Sequence, residues 1–223
     1  MPKAAKEPSK ERLILVHGIL NNTAWLKVFA KRLRAEGYEV HNWGYSSTKK
    51  LIEEHAADLE AFIRDLKGHE KIHFVGFSQG AIILRYLLAR HTIPASGRFV
   101  MIAPPNHGCE LAEAFYKYAW FRGIYGDKSI KQLFAKQNDF LQTCGIPKVE
   151  FGIMAGGKGN TKGFLGTIPG DNDGTVSVAS TRLEGEKDFV LLPHRHTFLI
   201  FQQKTVKHAV AFLKTGHFLK RGN

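Results

Sequence analysis

The stretch HFVGFSQGAI, residues 73–82, sets Ser78 between Gly76 and Gly80. A serine hydroxyl is a weak nucleophile until a neighbouring base takes its proton, and such a base works best when a third group orients it. Candidates for both lie downstream. GDNDGTVSVAS, residues 170–180, offers Asp171 and Asp173, and PHRHTFL, residues 193–199, offers His194 and His196. A serine, a histidine and a carboxylate brought together would carry out acyl transfer through a covalent intermediate. The pentapeptide GFSQG carries little weight alone, because G-x-S-x-G arises by chance in about one chain of this length in ten at ordinary Gly and Ser usage. Its surroundings must decide.

Those surroundings alternate between short β-branched runs and longer helical patterns. RLILV (12–16), YEVHNWGY (38–45), KIHFVGF (71–77), RFVMIAP (98–104), VEFGIMAG (149–156) and DFVLLP (188–193) read as strands. Helical spacing covers 23–37, 48–68, 79–91 and 196–216, with Thr23 as a candidate N-cap and Gly37 and Gly68 as stops. Between the fourth and fifth strands, 110–118 and 128–142 are also helical in pattern. Six strands alternating with helices predict an α/β fold with a mainly parallel sheet covered on both faces. In such sheets ligands bind beyond the carboxyl ends of the strands. VHGILNN (16–22) follows the first strand and GFSQG the third, with a helix starting at once after Ser78. A sharp strand-to-helix turn exposes the serine hydroxyl, the glycines let strand and helix approach, and the helix N-terminus supplies free N–H groups for a developing oxyanion.

This combination resembles the α/β-hydrolase superfamily, and within it small lipase- and esterase-like members such as bacterial triacylglycerol lipases. The resemblance spans residues 12–216 and implies a minimal hydrolase fold of about six strands. HG-x after the first strand resembles the oxyanion-loop motif, which implies the Ile19 and Gln79 N–H groups as oxyanion donors. PPNHGCELA (104–112) resembles a segment that follows the next strand in bacterial lipases. Chain order in this family is serine, acid, histidine, so the resemblance implies Ser78 as nucleophile. Asp173 is preferred over Asp171 because it heads D-G-T-V, similar to the D-G-x-V of bacterial lipases, and the glycine permits a turn that aims the carboxylate inward. His196 is preferred over His194 because HTFL resembles the histidine that precedes the last helix. Asp171 is expected to brace the loop. A calcium loop is a poorer reading of D-x-D-G, since further acidic positions and a closing Glu are missing.

The domain is expected to cover 12–223, after a flexible tail at 1–11, with a lid or cap segment at 109–147. AFYKYAWFRGIYG (114–126) carries Phe115, Tyr116, Tyr118, Trp120, Phe121 and Tyr125. These rings either line an acyl pocket or pack the segment onto the domain. Trp120 and Phe121, with His17 of the HG pair, are the residues expected at the pocket. Asn106 and His107 are read as loop structure and Trp25 as core.

Composition narrows the classes further. The 223 residues carry 32 Lys plus Arg against 20 Asp plus Glu, a formal charge of +12. No nucleic-acid motif accompanies that charge, so a solvated basic surface is the expectation, with weak contact to an anionic membrane as an option. Cys109 and Cys144 are too few for a disulfide framework and read as reduced hydrophobes. Neither a membrane span of ~18 apolar residues nor a signal-peptide h-region is present, which predicts a cytoplasmic protein. No cofactor and no metal are expected, and the oligomeric state is left open. The function expected is ester hydrolysis through an acyl-enzyme. An acyltransferase with the same residues, or a binding protein that retains the fold, are the alternatives. A serine nucleophile argues against the branches of the fold that use aspartate.

Overall fold

The computed structural model describes residues 11–68, 70–134 and 139–220. The tail expected at 1–11 therefore lies outside the described residues, apart from Glu11. In chain order the elements are β1 (Arg12–Val16), α1 (Lys27–Ala35), β2 (Glu39–Trp43), α2 (Ile52–Asp65), β3 (Ile72–Phe77), α3 (Gln79–Arg90) and β4 (Ser96–Ile102). Four short helices follow: α4 (Glu110–Phe115), α5 (Ala119–Tyr125), α6 (Ser129–Gln132) and α7 (Phe140–Thr143). Then come β5 (Phe151–Gly156), α8 (Val178–Thr181), β6 (Asp188–Leu192), a 3₁₀ helix His196–Phe201, and α9 (Gln203–Thr215).

The strands form one sheet in the order β2-β1-β3-β4-β5-β6, and every pairing is parallel. Successive side chains of a strand point to opposite faces, and β1 shows the consequence. Leu13 and Leu15 join a core with Phe29 and Leu33 of α1 and Val206 and Phe212 of α9. Ile14 and Val16 join the opposite core, with Leu59 of α2 and Ile82, Ile83 and Leu87 of α3. Burial on both faces is why the strands read as unbroken apolar runs rather than alternating ones. Helix α3 is buried on nearly every side, which places its N-terminus deep in the molecule.

Several boundaries differ from those the spacing predicts. Helix α1 starts at Lys27 with Leu26 as its cap, so Thr23 lies in a turn and not at the N-cap. Helix α2 begins at Ile52, where the Glu54 carboxylate accepts the Leu51 N–H at 2.7 Å. The closing helix is two pieces. HTFLIF, rich in β-branched and aromatic residues, winds as 3₁₀, and extended Gln202 separates it from α9. Left-handed Gly216 then ends α9. Among the described residues no helix is long and apolar enough to cross a membrane.

Candidate active site

The turn between β3 and α3 forces Ser78 into a sparsely populated conformation, φ +53° and ψ −124°. Such backbone costs about 1–3 kcal/mol and persists only where its surroundings over-determine it. Here they do. The Ser78 N–H donates to the Ile102 carbonyl of β4 at 2.8 Å. A Cβ at position 76 would sit 2.5 Å from the Ala81 Cα, and one at position 80 would sit 2.4 Å from the His17 carbonyl. Only glycine fits either place. The same packing presses the loop after β1 against the serine: a Cβ on Gly18 would lie 3.1 Å from the Ser78 Cβ. Among the described residues the N–H groups of Ile19 and Gln79 meet no acceptor, and Ile19 lines the cavity that holds Ser78.

The other partners come from two loops at the same end of the sheet. After β5, Asp173 is buried, and its Oδ1 accepts the Thr175 and Val176 N–H groups, both at 2.9 Å. That leaves Oδ2 facing His196 Nδ1 at 2.6 Å. After β6, the His196 N–H donates to the Asp173 carbonyl at 3.0 Å, which seats the ring. His196 Nε2 lies 3.0 Å from Ser78 Oγ. A carboxylate only accepts, so the Nδ1–H tautomer donates to Asp173 and Nε2 accepts the Ser78 hydroxyl.

A cavity of about 240 Å³ opens over these groups. One wall is Leu20 and Trp25; the other is Phe121, Tyr125, Ile130 and Leu133 from the segment between β4 and β5. The Phe121 and Tyr125 rings stack at 4.2 Å. Most of the lining residues are apolar, and the Ser78 hydroxyl and the His196 imidazole face into it.

The sequence profile of the alpha/beta hydrolase fold matches residues 11–148. The chain belongs to the α/β hydrolase family. No curated protein matches it. Among solved structures it is similar to the mature lipase BlEst2 of Bacillus licheniformis, at 22% identity over 96% of this chain and 95% of that one, with a TM-score of 0.72. The esterase EaEST of Exiguobacterium antarcticum aligns at 18% identity over 93% of each chain, TM-score 0.62. A metagenomic carboxyl esterase, MGS0156, aligns at 17% identity over 89% of this chain and 69% of that one, TM-score 0.65. At these identities the likeness is one of fold.

Within this hydrolase fold the alternatives separate. Asp171 turns away and braces its loop, accepting the N–H groups of Lys158, Gly159 and Asn172 at 2.7–3.0 Å. His194 stays half-buried outside the Ser78–His196–Asp173 chain, and burial lowers its pKa. Two pocket expectations need correction. His17 is fully buried behind the loop after β1, stacked on Tyr45 at 4.3 Å with Nδ1–H donating to the Gly18 carbonyl, and it does not line the cavity. Burial lowers its pKa too, favouring the neutral ring. Trp120 is 56% exposed and lies outside the cavity, because α5 turns the adjacent Phe121 inward instead. Trp25, expected in the core, is 41% exposed and lines the mouth. Asn106 is loop structure, holding the Thr181 carbonyl at 2.8 Å, and His107 is exposed.

Two residues that the sequence did not single out support the site. Asn172 is fully buried and ties its loop together, Oδ1 accepting the Leu165 and Gly174 N–H groups. Ser47 in the loop after β2 accepts the Leu20 N–H on its hydroxyl at 2.9 Å. Position between two aspartates was the only signal for Asn172, and Ser47 had none.

Proposed function

We propose that this protein is a carboxylic ester hydrolase of lipase or esterase type. The observation that carries the reading is the continuous hydrogen-bonded chain from Asp173 through His196 to Ser78, ending beneath an apolar cavity. Ser78 Oγ attacks the ester carbonyl carbon as His196 Nε2 takes its proton. Asp173 holds the ring and stabilises the imidazolium. The carbonyl oxygen, now negative, accepts from the Ile19 and Gln79 N–H groups at the positive end of α3. The bond to the leaving alkoxide breaks, the alkoxide takes the proton from Nε2, and the acyl group remains on Ser78. Water, deprotonated by the same histidine, then releases the acid.

In this reading residues 12–223 form one hydrolase domain and the segment 109–147 its cap, although 135–138 lie outside the described residues. The apolar lining favours an acyl chain. At the mouth, Trp25 lies against exposed Phe201 and near the basic helix α1, whose Arg32 donates to the Phe201 carbonyl. That pairing of apolar rim and positive charge suits a substrate presented at a weakly held anionic lipid surface.

The test is labelling with a fluorophosphonate probe, followed by a panel of esters of graded acyl length. Wild type is expected to label and Ser78→Ala to stay blank. Labelling that persists in Ser78→Ala rejects the nucleophile, and a labelled protein that turns over no ester rejects the substrate class.

A further inference from the structure

The oxyanion donors invoked above belong to two backbones, the loop after β1 and the start of α3. The start of α3 is anchored by the Ser78 N–H to the Ile102 carbonyl of β4. Leu20, next to Ile19, sits in the left-handed region at φ +56°, a conformation that contacts from outside the loop help to hold. One residue reaches both segments. Ser47 Oγ accepts the Leu20 N–H at 2.9 Å, and the Ser47 carbonyl accepts the Gln79 side-chain amide at 2.9 Å. The same carbonyl accepts the Ser129 hydroxyl of α6 at 2.8 Å, and that hydroxyl lies 3.4 Å from Gln79 Oε1. Ser47, Gln79 and Ser129 are all buried.

The cap also grips the first turn of α2, where the loop carrying Ser47 ends. Gln132 of α6 accepts the Ile52 N–H at 2.7 Å and donates to Glu53 at 2.6 Å. The loop between β2 and α2 is thus clasped by the cap on one side and clasps the oxyanion loop on the other. Ser47 lies where the two meet: its hydroxyl accepts the Leu20 N–H and its carbonyl accepts the Gln79 side-chain amide. Neither Ser47 nor Ser129 lines the cavity.

We infer that Ser47 and Ser129 are positioning residues that set the oxyanion donors and couple them to the seating of the cap. This inference rests on the hydrolase reading above. The hydrogen-bond path runs from α6 through Ser129 to the Ser47 carbonyl, from there to Gln79, and through the Ser47 hydroxyl to Leu20. Removing the Ser47 hydroxyl frees the peptide after Ile19. Removing the Ser129 hydroxyl loosens the cap while the Ser47 carbonyl keeps its bond from the Gln79 side-chain amide.

The experiment measures ester turnover and inhibition by a trifluoromethyl ketone, whose adduct with Ser78 carries the tetrahedral oxyanion. Rates are normalised to active sites titrated with the fluorophosphonate, so any misfolded fraction drops out. Loss of a whole oxyanion donor costs about 10²–10³ in kcat; a donor displaced rather than lost is expected to cost less. Ser47→Ala should lower kcat about tenfold with KM nearly unchanged, and weaken the ketone by a similar factor. Ser129→Ala should do the same on a smaller scale, about threefold. If Ser47→Ala fails to fold, Ser129→Ala decides. Unchanged kcat and ketone affinity per titrated site overturn the inference, as does a rise in KM alone, the mark of a cap that only shapes the pocket. Failure of the underlying reading looks different: wild type does not label, or Ser78→Ala does.

Discussion

The elbow that carries Ser78 and the segment between β4 and β5 that lines the cavity are built in opposite ways. The elbow joins β3, flanked on both sides by parallel strands, to a helix buried almost all round. Its conformation is over-determined by backbone packing at Gly76, Gly80 and Gly18. Among the described residues that segment holds four helices of four to seven residues. It leaves Tyr118, Trp120 and Ile124 exposed and is tied down by a few side chains. Ser129 grips the loop after β2, Gln132 the first turn of α2, and buried Arg85 of α3 donates to the carbonyls of Leu141, Gly145 and Asn106. Reacting atoms need sub-ångström placement, which rigid elements supply, whereas substrate choice tolerates a wall that can shift.

The sharpest break in this contrast is at the elbow. Ser78→Ala is expected to remove about 10⁵-fold or more of kcat while leaving the unfolding transition almost unmoved, since alanine occupies the same backbone. Ester turnover with parallel calorimetry reads both. Next is the acid. Asp173→Asn should lower kcat about 10⁴-fold through loss of ring orientation. Asp171→Asn should leave kcat within a few-fold and instead lower the melting temperature, since its loop N–H groups lose a charged acceptor at about 1–3 kcal/mol. Equal kinetic losses in the two variants would assign the acid role to the wrong residue.

The cap effects are smaller. Phe121→Ala enlarges the cavity wall and should shift the preference between short and long acyl esters by about tenfold, the scale of one or two methylene contacts. Trp120→Ala should change that preference by less than about twofold, its ring lying outside the cavity. Were Trp120 to outweigh Phe121 in the chain-length series, the cap would close differently over substrate, and the contrast between fixed elbow and adjustable roof would need redrawing.

Much of the architecture was legible because its signals are local or periodic. Doubly buried strands read as apolar runs, and Gly76 and Gly80 frame Ser78 within five residues. Helix limits were less legible: Thr23 looked like a cap, yet the chain spends residues 20–26 turning before α1 begins. Around the cavity, residue type misled. His17 and Trp120 carry the right chemistry for a pocket and point elsewhere, and Trp25 reads as core and lines the mouth. Which neighbour in a helix faces inward depends on how the helix docks, and a segment of short helices has too little periodicity to state it.

The sequence by itself determined the order of the sheet elements, the glycines that make the elbow possible, and the succession Ser78, Asp173, His196 along the chain. Each of these is a property of neighbouring residues or of chain order. Tertiary structure alone decided that Phe121 and not Trp120 walls the cavity. It also decided that Ser47, 31 positions before Ser78 in the chain, accepts both the Leu20 backbone N–H and the Gln79 side-chain amide. Those outcomes depend on distances of 3 Å between atoms tens of residues apart, which exist only once the sheet has brought its loops to one end.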